Sequence, residues 1–315
     1  MYRLAAALLS IICFAASAEA QSAQGSWASK APLPAPRNEV ALAVANGKVF
    51  VLGGSEKGVG VPGNWEYDPA TERWRDRAPM PRGLDHLGVA VVDAKIYTIG
   101  GFQRSVHQGA VESVFEYDPA ADTWRALAPL KAGRGSVGVT VLGGKIHAVG
   151  GRNVDGTVVA THEVFDPASG QWRELAPLPT ARDHLAVVAI DGKIHAVGGR
   201  LATSNDKLGV HEIYDPATNA WASGPPLPTA RSGVAYTAYQ GMIMVVGGES
   251  RATGTFKENE AFDPKSGRWV TLAPMPAGRH GFGAAVLGSN VFFAGGSLRP
   301  GADAVTDQLI VFNLP

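Results

Sequence analysis

The sequence is poor in cysteine and has no net charge. Its 315 residues include one cysteine, Cys13, in an apolar N-terminal segment, so a chain without that segment has no disulfide, thiolate metal site or cysteine nucleophile. The 28 basic residues balance the 28 acidic ones, and the basic residues form no run. Nucleic acid and anionic membrane surfaces are therefore not expected as partners.

A long hydrophobic run is also missing. The apolar stretch 4–16 is shorter than the roughly 20 residues that a membrane span needs. It follows Arg3 and precedes Ser17-Ala18-Glu19-Ala20, where small residues flank a cleavage point before Gln21. This pattern predicts a signal peptide over residues 1–20 and an exported mature chain, periplasmic or secreted, that is not inserted in the membrane after cleavage.

What the sequence does contain is a repeat. Six times a tryptophan precedes a diglycine by 26 residues: Trp27 and Gly53, Trp74 and Gly100, Trp124 and Gly150, Trp172 and Gly198, Trp221 and Gly247, Trp269 and Gly295. Each unit contains two apolar stretches joined by a tight turn, then a short stretch that ends in an aromatic residue and Asp or Asn. The tryptophan opens a further short stretch. These features predict four β-strands per unit.

The ends of the repeat predict a closed ring. The last unit stops at Asn313-Leu314-Pro315 without a tryptophan strand, while Trp27 begins a strand that belongs to no preceding unit. The first strand is therefore expected to complete the last unit, which removes exposed sheet edges. The second residue of each first strand is Ala or Gly, as expected for strands crowded around a common axis: Ala41, Gly88, Gly138, Ala186, Ala235 and Gly283.

The diglycine, the aromatic-Asp-Pro and the spaced tryptophan, in units of 47 to 50 residues, resemble the kelch repeat over residues 27–313. The resemblance implies an all-β fold: a six-bladed kelch β-propeller with four antiparallel strands per blade, in one domain over residues 21–315. It also implies a binding protein that recognises a protein or a glycan, and the predicted signal peptide makes this an exported binding protein. No cofactor is expected.

Length variation points to one face of this propeller. The spacing from diglycine to Asp varies between units, whereas the spacings from Trp to diglycine and from Asp to Trp are constant. The variable loops lie on the same face as the connections between units, so this face is expected to bind the ligand. Its binding candidates are Asn38, Glu39, Asp85, His86, Arg134, Arg152, Asp183, His184, Arg200, Arg231, Glu249 and His280.

Two interpretations of the repeated arginines stay open. Five of the six connections begin with an arginine, and Leu84 takes its place in the other. These arginines either hydrogen-bond neighbouring loops as part of the repeat or form an anion-binding mouth near the axis. Glu163, Glu212 and Glu260, each two residues before the blade aromatic, are expected to make a structural bond.

The histidines divide into two groups. His147 and His195 occupy a strand position held by Phe, Tyr or Met in other units, so they are expected to pack. His86 and His184 each follow an aspartate at alternate blades, and with His280 they could meet at a metal or act as bases. His280 lies one position earlier and is expected to point away, so no metal site is predicted.

An enzyme is the alternative to a binding protein. Copper radical oxidases with kelch-like blades depend on a cysteine-crosslinked tyrosine, which a mature chain without cysteine cannot form. Exported kelch proteins that epimerise N-acetylneuraminate place a glutamate after a glycine as the base, and Glu249 after Gly248 is similar. Their companion arginine, six residues on, is Thr255 here, with Arg251 nearby. The alternative function is thus a sialic acid mutarotase, with Glu249 as the candidate catalytic residue.

Overall fold

The computed structural model describes residues 25–104 and 107–315. These residues form six antiparallel sheets arranged as a six-bladed β-propeller, which confirms the predicted all-β fold. Each blade has four main strands, and no helix occurs in the described residues. The predicted signal peptide, residues 1–20, lies outside them.

The strands of each blade follow one another from the axis outwards. The first three blades contain Asn38–Ala45, Lys48–Glu56, Asn64–Asp68 and Arg73–Asp76; Gly88–Val92, Lys95–Ile99, Val114–Asp118 and Thr123–Ala126; Gly138–Leu142, Lys145–Val149, His162–Asp166 and Gln171–Glu174. The last three contain Ala186–Ile190, Lys193–Val197, His211–Asp215 and Ala220–Ser223; Ala235–Tyr239, Met242–Val246, Asn259–Asp263 and Arg268–Thr271; Gly283–Leu287, Asn290–Ala294, Leu309–Asn313 and Ser26–Lys30. Short additional strands on the loop face are Val59–Gly60, Arg134–Gly135, Arg152–Asn153, Glu249–Ser250 and Gly254–Thr255.

The ring closes as the sequence predicts. Strand Ser26–Lys30 pairs antiparallel with Leu309–Asn313, and Trp27 lies opposite Phe312. The N-terminal strand is therefore the outermost strand of the last blade, so the two ends of the repeat are held by one sheet.

Crowding at the axis explains the small residues of the innermost strands. A Cβ atom on Gly88 would lie 2.2 Å from a methyl carbon of Val139, and one on Gly138 would lie 2.1 Å from a methyl carbon of Val187. Both valines belong to the next blade, so a side chain at either glycine would push neighbouring blades apart.

The tryptophans tie each blade to the one before it. Each indole Nε1 donates a hydrogen bond to a carbonyl that follows the outermost strand of the preceding blade. The pairs are Trp27 with Ala273, Trp74 with Ala31, Trp124 with Ala78, Trp172 with Ala128, Trp221 with Ala176, and Trp269 with Pro225. Large apolar clusters fill the spaces between neighbouring blades, so the core of the described residues is distributed around the axis.

Within the described part of the chain, no helix has the length and apolar character needed to cross a bilayer.

Candidate functional site: a charged axial pocket

The connections between blades meet the loops after the diglycines residue by residue. In every blade the second residue of the connection pairs antiparallel with the residue that follows the diglycine. The six pairs are Asn38 with Ser55, Asp85 with Phe102, Gly135 with Arg152, Asp183 with Arg200, Ser232 with Glu249, and His280 with Ser297. The connections and the loops after the diglycines therefore form one paired layer above the blades.

The third residue of each connection forms a ring around the axis. All six adopt left-handed backbone conformations, with φ between 51° and 67°: Glu39, His86, Ser136, His184, Gly233 and Gly281. Each donates its backbone N–H to the carbonyl of its counterpart in the preceding blade, over 2.5 to 3.3 Å, so the hydrogen bonds run in a closed circle. Four of these residues are not glycine, and such conformations cost about 1 kcal/mol or more each. The fold thus holds the side chains of Glu39, His86, Ser136 and His184 at the axis against a local backbone preference.

A polar pocket of about 290 Å³ lies above this ring. Eight of the twelve binding candidates line it: Asn38, Glu39, Asp85, His86, His184, Arg200, Glu249 and His280. Ser55, His107, Thr203, Ser204 and Arg251 complete most of the wall. Below the ring, a second cavity of about 330 Å³ follows the axis between the innermost strands and is lined mainly by valine, alanine and leucine. The charged groups are therefore concentrated at one end of the axial channel.

Arg134 and Arg231 do not reach the pocket. They are buried within their blades, as is Arg182, and each pairs with the glutamate two residues before the blade aromatic: Arg134 with Glu163, Arg182 with Glu212, and Arg231 with Glu260. The same guanidinium groups donate to carbonyls of the second strand. Arg279 donates to the Gln308 side chain at 2.5 Å, and Arg37 stacks 3.8 Å above Trp65. Of the two interpretations of these arginines, the structural one accounts for these contacts.

Arg200 is the centre of the polar network. Its Nη1 donates to Glu249 Oε1 at 2.7 Å, and its Nη2 lies 2.8 Å from His184 Nε2 and 3.3 Å from His107 Nε2. Asp183 lies beneath it, buried completely, with Oδ1 3.5 Å from Arg200 Nε. Arg152 does not line the pocket but donates to Asp183 Oδ2 at 2.6 Å and to the Ala202 carbonyl at 2.9 Å. Arg152 and Asp183 therefore support the pocket from behind.

His86 is held between two carboxylates. Its Nδ1 lies 2.6 Å from Asp85 Oδ1 and its Nε2 lies 3.1 Å from Glu39 Oε2. Burial opposes the charged form of His86, but Glu39 and Asp85 outweigh burial and raise its pKa.

His184 has the opposite electrostatic environment. Its Nδ1 lies 3.0 Å from Asp183 Oδ1, and Ser136 Oγ lies 3.3 Å from its Nε2. Burial, followed by the charges of Arg200 and His86, lowers the pKa of His184 well below its usual range. The pKa values of these two imidazoles are thus shifted in opposite directions, a condition found where proton transfer or ligand charge matters.

Sequence analysis missed His107. This residue lies in the loop between the second and third strands of the second blade, and its ring packs edge-on against His86 and His184, with centroids 4.8 and 5.0 Å away. Burial, together with His86 and His184, lowers the pKa of His107. Its loop carries no repeat pattern, so the only signal available was the presence of a histidine in a loop on the variable face.

The expected direction of His280 was wrong. Its side chain turns into the pocket, where Nε2 lies 2.8 Å from the Gly301 carbonyl and 3.6 Å from Glu249 Oε2. The expectation relied on strand alternation through position 281, but Gly281 is left-handed, with φ of 62°, and alternation fails there. Burial raises the pKa of Glu249, but His280 and Arg200 outweigh that effect and lower it, so this carboxyl is ionised.

Aromatic side chains do not form a platform in the pocket. Phe102 and Trp65 are near the loop face but are buried. Phe102 packs under His86 and His107, and Trp65 lies under Arg37. Among the described residues that line the pocket, none is Phe, Tyr or Trp, so a ligand there is held by polar groups.

The fold and the site define the chain as a six-bladed β-propeller with a charged pocket at one end of its axis. Residues 130–296 match the family model described as the KLHDC2/KLHL20/DRC7 Kelch-repeats domain, and residues 36–81 and 85–131 match the Kelch motif. The first match covers more than half of the chain, so the chain belongs to the kelch-repeat family.

A solved structure titled "Structure of YjhT" is similar to this chain, with a TM-score of 0.75 and 19% sequence identity. The similarity covers 89% of this chain and 95% of that one. At this level of sequence identity, the similarity shows that the two chains share a fold. No curated protein sequence matches the chain.

Proposed function

We propose that this chain is an exported kelch propeller that binds a small polar ligand of the glycan class in its axial pocket. The observation that carries the proposal is the pocket itself: a walled cavity of about 290 Å³ whose lining is dominated by charged and hydrogen-bonding side chains. Small-molecule sites begin at about 300 Å³, so this volume fits one sugar-sized unit better than a protein surface.

The lining suits a ligand with several hydroxyl groups. Glu39 and Glu249 accept hydrogen bonds, Arg251 donates them, and the hydroxyls of Thr203 and Ser204 do both. Protein interfaces depend on apolar and aromatic anchors at their centre, and those anchors are lacking among the described lining residues. A protein partner is the competing possibility, and it would have to contact the surrounding loops as well as the pocket.

The wall of the pocket is built to hold its shape. The loops of the fourth and fifth blades are joined where the Arg251 N–H donates to Ser204 Oγ at 3.2 Å and the Ala252 N–H donates to Asn205 Oδ1 at 3.0 Å. A preformed wall reduces the entropy lost on binding, which favours a small ligand with few contacts of its own.

Export is part of the proposal, and the predicted signal over residues 1–20 supports it. Expression of the full chain followed by N-terminal analysis of the extracytoplasmic protein tests this part. A chain that begins at Gln21 is the expected product, and an uncleaved chain retained inside the cell would contradict it.

A sialic acid mutarotase is the second candidate function. It is favoured by Glu249, a buried and ionised carboxylate that shares the pocket with Arg200 and Arg251. In that reaction Glu249 would take the proton of the anomeric hydroxyl as the bond between the anomeric carbon and the ring oxygen breaks, and the ring oxygen would take a proton from water. An arginine would hold the sugar carboxylate.

Two experiments separate the candidates. A thermal-shift panel of neutral and acidic monosaccharides is expected to identify a ligand for the wild type and to show no shift for E249Q. Anomeric exchange of N-acetylneuraminate, followed by NMR, is expected to be accelerated only if the second function is correct. If the wild type accelerates the exchange and E249Q does not, the enzymatic function replaces the binding proposal. If no monosaccharide shifts the melting temperature of the wild type, both candidate functions are rejected.

A further inference from the structure

Three histidines of the axial pocket converge on one point. His86 and His184 come from the ring of left-handed residues, and His107 comes from the loop that crosses above it. One ring nitrogen from each lies within 4.8 Å of the other two. We propose that His86, His107 and His184 bind a divalent transition-metal ion, with zinc the ion that fits best. This site does not depend on the ligand proposed above.

One pair of these nitrogens has the spacing of two ligands of one ion. Zinc binds imidazole nitrogen at about 2.0–2.1 Å, so two ligands of one tetrahedral ion lie about 3.3 Å apart. His107 Nε2 and His184 Nε2 are 3.3 Å apart. Imidazole nitrogens are ligands that zinc, copper and nickel prefer to calcium or magnesium, so the donor set selects a transition metal.

The orientation of the His86 ring is also that of a metal ligand. A metal-bound histidine usually directs its other nitrogen at a carboxylate or carbonyl, which fixes the ring and its tautomer. His86 Nδ1 lies 2.6 Å from Asp85, and His184 Nδ1 lies 3.0 Å from Asp183. In both cases the carboxylate belongs to the preceding residue, but only His86 hydrogen-bonds its aspartate; His184 lies close to Asp183 without a hydrogen bond.

The charge around the cluster favours a cation. The network includes four carboxylates, Glu39, Asp85, Asp183 and Glu249, against the guanidinium groups of Arg152 and Arg200. The formal charges of these six side chains sum to minus two, which one divalent ion would neutralise. Glu39 Oε2 lies 3.1 Å from His86 Nε2 and is the nearest carboxylate for a fourth ligand position.

Without a metal, the Arg200 guanidinium lies beside the histidine nitrogens that the ion would bind. Its Nη2 faces the nitrogens of both His184 and His107, at 2.8 and 3.3 Å, so the guanidinium supplies the positive charge there. Entry of an ion requires Arg200 to move aside, and its 2.7 Å contact with Glu249 gives it an alternative partner. Replacing Arg200 by Gln is therefore expected to strengthen metal binding.

The test uses tag-free protein stripped of metal by a chelator. Titration calorimetry with zinc chloride and elemental analysis are expected to give one zinc per chain. Cobalt is expected to produce the visible absorption of a tetrahedral site, and magnesium and calcium are expected not to bind. His107→Gln should weaken zinc binding about 100-fold or more, and D183N about 10- to 100-fold.

The matched control is His280→Gln. His280 lies in the same pocket, but its Nε2 is directed at the carbonyls of Arg299 and Gly301, so zinc affinity should stay within about threefold of wild type. His107 is only partly buried and lies in a loop, so H107Q should fold normally, which circular dichroism will show. A wild type that holds no zinc, or an H107Q variant that binds zinc as tightly as the wild type, overturns the proposal.

Discussion

Replacing Arg182 by Met tests whether the repeated arginines stabilise the blades in which they are buried. Arg182 is fully buried, and its guanidinium donates to Glu212 at 2.5 Å, to Thr180 O and Gly198 O at 2.8 Å, and to Ala196 O at 2.9 Å. R182M leaves the carboxylate of Glu212, itself 5% exposed, with the Thr180 hydroxyl as its remaining partner.

The expected cost follows from that environment. Removing one partner of a buried ion pair leaves an uncompensated charge, which destabilises a protein by about 3–5 kcal/mol. Since the whole free energy of unfolding of a domain is about 5–15 kcal/mol, R182M should lose a large fraction of it. The double variant R182M/E212Q also removes the uncompensated charge of Glu212. Its loss in the free energy of unfolding should therefore be smaller than the sum of the losses of R182M and E212Q.

Urea unfolding of R182M, E212Q, R182M/E212Q and the wild type measures these free energies of unfolding. The control is R173M, which removes an exposed arginine from the outermost strand of the third blade and should change the free energy of unfolding by no more than about 0.5 kcal/mol. If R182M loses less than about 1 kcal/mol, or if the losses of R182M and E212Q simply add, the structural interpretation of these arginines is refuted.

Two further predictions concern packing. Burial, followed by the charges of Arg173 and Lys145, lowers the pKa of His147 to about 4, so the stability that its neutral form contributes is present above about pH 6.5 and lost as pH falls towards 4. H147F, which installs the residue that other blades use, should reduce the acid loss measured by urea unfolding at pH 7 and pH 4.5 by about 2 kcal/mol; an unchanged loss would contradict the pKa direction. G138A places a Cβ 2.1 Å from Val187 and should cost about 1–3 kcal/mol, measured in the same way, whereas a neutral change would mean that the innermost strands are not crowded.

Sequence was sufficient for the fold because the fold is repeated. The interval from Trp to diglycine, the small residues at the axis and the unmatched Trp27 each reflect a contact that recurs around the ring, and the structure confirms the closure they predict. Eight of the twelve binding candidates line one pocket for the same reason, since the pairing of Asp183 with Arg200 has an equivalent in every blade.

The rest of the site depends on residues that the repeat does not place. His107 and Arg251 reach the pocket from loops of irregular length, where periodicity carries no information. The direction of His280 depends on the left-handed backbone at Gly281, which breaks the alternation that a strand would impose. Arg134 is recognisable as structural only once Glu163 is seen beside it, because the two are distant in sequence.

Histidine NMR measures the location of ligand binding most directly. The chain has eight histidines: His86, His107, His184 and His280 line the pocket, whereas His147, His162, His195 and His211 are buried in pairs within the blades. Titration with the monosaccharide that gives the largest thermal shift, or with N-acetylneuraminate, should move the resonances of the first four and leave the second four in place. Shifts confined to the second four, or no shift at a ligand concentration that stabilises the protein, would contradict an axial binding pocket.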